Sequence, residues 1–114
     1  MGVVYYGNYL AWFEVGRSDL LRQLGSSYRD IEQNGVYLPV VEAQCRYHHP
    51  ARYDDLVEIR TKASRPSRAQ LRFDYELSRV ADDVALASGS TVHVATKDNG
   101  KPCRLPAKLT ELFE

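Results

Sequence analysis

Between Asn8 and Leu24 the apolar residues Tyr9, Trp12, Phe13, Gly16, Leu20 and Leu24 recur at three- and four-residue steps, with Glu14, Arg17, Asp19, Arg22 and Gln23 between them. Side chains three and four apart share one face of an α-helix, so this spacing predicts an amphipathic helix of about four to five turns. Asn8 suits its N-cap, where a side-chain oxygen accepts an orphan amide, and Gly25 suits the left-handed residue that ends it. Gly16 lies mid-helix, where glycine costs roughly 1 kcal/mol against alanine. A sheet packed close against that face is the expected reason. Ser27 opens a shorter helical piece through Asn34, and Gly35 stops it.

Beyond Gly35 the period changes to two. Val36 to Tyr47 is rich in Val and Tyr, "HHPARYDD" (residues 48–55) is a polar connection, and Val57, Ile59 and Thr61 share one face of a strand over Leu56 to Ala63. In "QLRFDYELSRV" Leu71, Phe73, Tyr75 and Leu77 alternate with Arg72, Asp74, Glu76 and Ser78, as in a sheet with one wet face. Asp82 and Asp83 make the next turn. Val84 to Thr96 is apolar or small on both faces, which predicts a central strand covered on both sides. Asn99-Gly100 forms a hairpin-like tip, and "PAKLTELFE" a short terminal helix with Pro106 in its first turn. The sum is an α+β domain, one long helix on a curved antiparallel sheet.

Composition narrows the function classes. With 114 residues, 44% of them hydrophobic and 26% charged, the chain has the make-up of one globular domain. Fifteen Lys and Arg against fifteen Asp and Glu leave no net charge, so no nucleic-acid partner is expected. Cys45 and Cys103 match no metal-ligand spacing and suit a reducing compartment. No apolar run is long enough to span a membrane and no leader pattern is present, so a cytoplasmic location is expected. His48 and His49 point apart on extended backbone and do not share a metal, and His93 reads as a hydrogen-bonded core residue. The serines lack a G-x-S-x-G elbow.

The stretches "GVVYYGNYLAWFEVGR", "YHHPARYDDLVEI" and "ASGSTVHVA", at these separations, resemble the hotdog-fold acyl-CoA thioesterases of the 4-hydroxybenzoyl-CoA thioesterase and tol-pal-associated group. The likeness runs over essentially the whole chain. The first two motifs are fairly specific, and the third is ordinary central-strand composition. The resemblance implies a hotdog fold, a long central helix wrapped by an antiparallel sheet. It also implies a homodimer or dimer of dimers and an acyl-CoA substrate, with no cofactor beyond the coenzyme A that the substrate carries.

Thioester hydrolysis needs donors aimed at the carbonyl oxygen as charge grows on it, and a base or nucleophile opposite. A helix N-terminus supplies such donors, since its first amides lack intrahelical partners. Tyr6-Gly7-Asn8 enters the long helix, and Gly7 lets a ligand approach the backbone. Tyr5, Tyr6 and Tyr9 as plain core aromatics are the alternative. By resemblance, the Tyr6 amide polarises the thioester carbonyl, Asn8 positions that helix end, and Val3, Val4 and Trp12 line the acyl side.

Members of the group carry a catalytic aspartate three residues before the glycine that matches Gly2, a position that falls before Met1. The domain over residues 1–114 is therefore expected to be N-terminally incomplete. If it is not, Glu14 on the long helix is the candidate base, with a surface ion pair to Arg17 as the bland alternative. Asp54 and Asp55 read as turn formers. In "ASRPSRAQ" the cations Lys62, Arg65 and Arg68 fall within seven residues, and guanidinium forks bind phosphate well. By resemblance, Arg65, Ser67 and Arg68 form the corner that meets the coenzyme A phosphates. A solvated turn is the alternative there. From another functional class, a dimer that binds acyl-CoA or a protein partner without turnover also fits.

Overall fold

The computed structural model describes residues 8–112. The elements are α1 (Asn8–Gln23), α2 (Tyr28–Gln33), β1 (Val40–Tyr47), β2 (Val57–Ser67), β3 (Gln70–Arg79), β4 (Ala85–Val94) and α3 (Ala107–Leu112). The strands form one antiparallel sheet in the order β1-β4-β3-β2, and α1 lies on one of its faces. This is the α+β arrangement expected from the two hydrophobic periods.

The α1 stripe is set by what it meets. Tyr9, Phe13, Gly16 and Leu21 are buried, while Trp12 and Leu20 pack at its margins. Leu21 takes the inward position expected for Leu24, which is only half-buried. A Cβ on Gly16 would come to 2.4 Å from Thr61 Oγ1 and 2.8 Å from Ile59 Cγ2. Only the missing side chain lets the helix lie this close to β2. Phe13 stacks on Tyr75 with ring centroids 4.4 Å apart, extending the contact to β3. On the sheet, Leu71, Phe73, Tyr75 and Leu77 all face inward and are essentially fully buried.

The connections follow local chemistry. Ser27 Oγ accepts the Asp30 amide at 3.1 Å as the α2 N-cap, and Gly25 and Gly35 end the two helices at φ +84° and +80°. The expected strand from Val36 starts only at Val40, because Pro39 has no amide to give a ladder. Tyr37 pairs with Thr96 in an isolated bridge, and the β1 register shifts between Val40 and Glu42. β2 runs on to Ser67, four residues past its expected end.

β4 is central, as expected, but no second layer covers its outer face among the described elements. There Ser88 and Ser90 lie in a shallow groove flanked by Gln44, Arg46, Arg72, Asp74 and Glu76. Long side chains of the neighbouring strands shield them in place of a covering element. At the hairpin tip Lys97 N donates to Lys101 O and Gly100 N to Lys97 O, both at 2.9 Å.

Candidate functional site

Of the expected site residues, Val3, Val4, Tyr6 and Gly7 lie outside the described residues. α1 begins at Asn8, which is exposed. Around this end the fold gathers an aromatic cluster. Tyr9 meets Trp12 edge-on at 5.2 Å and Tyr47, at the end of β1, edge-on at 4.9 Å. The Tyr9 hydroxyl accepts the buried Ala51 amide at 3.1 Å, which ties the 48–55 connection to the helix start.

That connection is held from its other side by Arg79 at the end of β3. Its Nε donates to Asp55 Oδ2 at 3.0 Å, Nη1 to Asp82 Oδ2 at 2.9 Å, and Nη2 to the Pro50 carbonyl at 3.0 Å. Asp55 Oδ2 also accepts the Arg52 amide at 2.7 Å, so this aspartate is the turn former expected, and Asp54 adopts φ +70° beside it. The Arg52 amide first, and the Arg79 guanidinium with it, hold the Asp55 carboxyl below the usual carboxylate range. The turn is therefore formed with Asp55 ionised. His48 and His49 take separate partners, Ser88 Oγ at 2.9 Å and the Ala85 carbonyl at 3.0 Å.

Glu14 is exposed on α1, about 9 Å along the axis from Asn8 at 1.5 Å per residue. The ion pair with Arg17 does not form. Arg17 instead turns inward toward Tyr75 and Tyr28, and its Nε is buried without a partner. Burial pushes the Tyr28 hydroxyl up to about 12. Beside this cation runs a buried polar line: Tyr75 Oη to Thr91 Oγ1 at 2.7 Å, Thr91 Oγ1 to His93 Nε2 at 2.9 Å, and His93 Nδ1 to the Leu38 carbonyl at 2.9 Å. A carbonyl only accepts, so Nδ1 carries the proton, Nε2 accepts from Thr91, and Thr91 accepts from Tyr75. His93 is thereby the hydrogen-bonded core residue expected. Burial holds its ring below the ordinary imidazole range, and the Arg17 charge adds to this.

Arg65 and Arg68 line a cavity of about 270 Å³ with Arg104, Leu105, Ala107 and Thr110, while Ser67 is exposed at the same turn and accepts the Ala69 amide at 3.3 Å. Arg104 was not foreseen, because it is remote in sequence and reaches the turn only through the Leu105 amide, which donates to the Arg68 carbonyl at 2.9 Å. The fold of the chain does not bring this cluster and the start of α1 together. β3 pairs through Gln70 with Ser67 and Val94 at one end and through Arg79 with Val57 at the other. Ten residues of strand at roughly 3.3 Å each separate those ends by about 30 Å.

The thioesterase superfamily family model matches residues 1–86. The chain belongs to the thioesterase superfamily. The acyl-CoA thioesterase YbgC of Haemophilus influenzae is 31% identical over 98% of this chain and 82% of its own length. Among solved structures, the DHNA-CoA thioesterase of Staphylococcus aureus is 34% identical with a TM-score of 0.88, over 98% of this chain and 75% of its own. The 1,4-dihydroxy-2-naphthoyl-CoA thioesterase Slr0204 of Synechocystis is 26% identical with a TM-score of 0.90, over 96% and 81%. The α+β architecture of α1 on its sheet is that of these hotdog thioesterases. No helix among the described residues is long and apolar enough to cross a membrane.

Proposed function

We propose that this superfamily member hydrolyses an acyl-CoA thioester to the free acid and coenzyme A, with the carbonyl oxygen held at the start of α1. The observation that carries this reading is the family match over residues 1–86, whose matched region contains the start of α1 and the loop hydrogen-bonded to it. In this reading the Tyr6 amide donates to the carbonyl oxygen, where the helix macrodipole favours the growing negative charge. Asn8 positions that end, Gly7 leaves room for the thioester, and Val3, Val4 and Trp12 line the acyl side. Water attacks the carbonyl carbon as a carboxylate removes its proton, and the thiolate leaves and is protonated. Glu14 is the candidate base within the described residues; the alternative is the aspartate that the family carries three residues before the glycine matching Gly2.

The working unit is proposed to be a homodimer, alone or paired into a dimer of dimers. β1 is an edge strand, and it exposes Val40, Val41 and Tyr47, while the outer face of α1 exposes Leu10 and Val15. An unpaired apolar edge is covered by pairing with another strand. Antiparallel pairing of two β1 strands about a two-fold axis sets the Tyr47 end of one copy beside the Val40 end of the other. The helix start of one copy then approaches the arginine end of its partner, so that Arg65, Ser67 and Arg68 reach the coenzyme A phosphates of a substrate held by the other copy. The cytoplasm is the proposed location, in line with the unpaired thiols of Cys45 and Cys103.

Trp12 is the one tryptophan of the chain, so its fluorescence reports on this end of α1 alone. Titration with a thioether analogue of an acyl-CoA, which cannot be hydrolysed, is expected to change the Trp12 emission saturably. Coenzyme A without an acyl group is expected to change it less. Emission unaltered by the analogue at concentrations that saturate binding would place the acyl group elsewhere.

A further inference from the structure

His48 and Ser88 are 40 residues apart in the chain, yet His48 Nε2 and Ser88 Oγ lie 2.9 Å from each other on the sheet face turned away from α1. The backbone brings them together. The His48 amide donates to the Leu86 carbonyl at 2.8 Å, which carries the β1–β4 pairing one residue past Tyr47 and sets His48 on the same face as Arg46. The register places Ser88 directly opposite Arg46 on β1 and Glu76 on β3. Side chains directly opposite start about 5 Å apart at Cβ, so the Ser88 hydroxyl lies within the span of the Arg46 side chain. Among the described residues, the ion pairs engage Arg22, Arg60, Arg72 and Arg79, and Arg46 takes part in none of them. Ser88 and His48 border a cavity of about 380 Å³ with Arg60, Glu76 and Asp83. Ser88 is half-buried while His48 and Arg46 are exposed, so a small solute reaches all three.

A hydroxyl is a weak nucleophile until a base within hydrogen-bond reach takes its proton. With the ring proton on Nδ1, His48 Nε2 is that base. Ester cleavage also needs positive charge where the carbonyl oxygen becomes negative, and Arg46 is the unengaged cation beside Ser88. We propose that Ser88, His48 and Arg46 form an esterase centre for small uncharged carboxylic esters, separate from the start of α1. Ser88 Oγ bonds to the ester carbonyl carbon as His48 Nε2 takes the hydroxyl proton, and the oxyanion faces Arg46. The bond from that carbon to the alcohol oxygen then breaks, the alcohol leaves with the proton from His48, and acyl-Ser88 remains. Water adds to the acyl carbon and gives a proton to His48; the acid departs as Ser88 takes that proton back. Glu76 and Asp83 in the cavity repel an anionic substrate such as a coenzyme A thioester, and the size of the cavity suits a short acyl group.

The test uses p-nitrophenyl acetate and a fluorophosphonate probe, which bonds to an activated serine with loss of fluoride. The whole chain is expected to release p-nitrophenol saturably and to take up one probe, mapped by peptide mass spectrometry to Ser88. Ser88→Ala is expected to abolish labelling and to lower ester hydrolysis at least tenfold. His48→Gln is expected to slow both at least tenfold, and Arg46→Gln several-fold. His49→Gln and Ser90→Ala, neighbours in sequence and on the strand, are expected to behave as the native chain does. Absence of label from Ser88 in the native chain overturns the proposal without recourse to a variant. Ester hydrolysis kept in Ser88→Ala also overturns it, since the imidazole would then act alone. The acyl-CoA reading is judged apart from this: a chain that releases no thiol from acyl-CoAs yet labels at Ser88 keeps this centre, and one that releases thiol without labelling there loses it.

Discussion

Tyr9 and Ala51 are joined by a hydrogen bond in which the buried Ala51 amide donates to the tyrosine hydroxyl at 3.1 Å. It fastens the 48–55 connection to the first turn of the helix on which the proposed chemistry depends. Tyr9→Phe keeps the ring contacts with Trp12 and Tyr47 but leaves that amide unpaired. A buried donor without a partner costs about 1–3 kcal/mol. The expected result is a loss of that size in denaturant unfolding, with faster amide exchange at Ala51. An unchanged midpoint would mean that another acceptor replaces the hydroxyl.

Arg79 holds the same connection from the other side through Asp55 and the Pro50 carbonyl, and its third bond, to Asp82, reaches the β3–β4 turn. Arg79→Lys keeps the charge and loses the fork, so it cannot reach all three acceptors together. Turnover is expected to fall several-fold while the global unfolding midpoint moves much less, measured as kcat beside a melting curve. Equal losses in both would make Arg79 a residue of general stability alone.

Gly16→Ala would be favourable by roughly 1 kcal/mol on helix propensity alone. The added Cβ instead meets Thr61 Oγ1 at 2.4 Å and Ile59 Cγ2 at 2.8 Å. Overpacking of this kind costs about 1–3 kcal/mol, so a net destabilisation is expected. Thr61 Oγ1 is buried with no partner, and the double variant with Thr61→Ala is expected to recover part of the loss. Thermal unfolding of the two variants checks the order.

His93 is neutral in the fold, with its proton on Nδ1 facing the Leu38 carbonyl and its folded pKa below the unfolded value of about 6.5. Between the two values the unfolded chain binds more protons than the folded one, so stability rises with pH there. The contribution is fully present above pH ~6.5 and is lost as pH falls through the window beneath it. Unfolding midpoints are expected to fall below pH ~6.5 in the native chain, and that dependence is expected to flatten in His93→Gln. An equal slope in the variant would assign it to other groups.

The β1 edge gives the proposed dimer its own test. Val41, at the register shift of β1, is 58% exposed, and Val41→Glu places a charge on each copy across the two-fold axis. Sedimentation is expected to show a dimer for the native chain and monomers for the variant. Identical profiles would exclude this edge as the contact.

What could be read in advance was what is local. Leu71, Phe73, Tyr75 and Leu77 alternate because one sheet face is dry, and Gly16 stands out because only a close neighbour explains a glycine mid-helix. The capping serine and the glycines after α1 and α2 carry their reasons within a few residues. Three features of the interior and the site were not legible. Arg17 follows the polar pattern of a helix surface yet turns inward, since the space beside Tyr28 and Tyr75 is created by tertiary packing. Leu21 is buried in place of Leu24 because the helix ends at Gln23 and its last turn is placed by the sheet. Arg104 joins Arg65 and Arg68 through a main-chain bond between segments more than thirty residues apart, which no local pattern carries.

The most direct measurement is release of free thiol from a panel of aromatic, short aliphatic and long-chain acyl-CoAs, by this chain and by one extended upstream of Met1 to carry the family's aspartate. The expected result is saturable thiol release on at least one acyl-CoA. Glu14→Gln is expected to abolish it if Glu14 is the base, and to leave it intact in the extended chain if the aspartate is. Saturable binding of the same acyl-CoAs with no thiol released by either chain would contradict hydrolysis and make the protein an acyl-CoA-binding module.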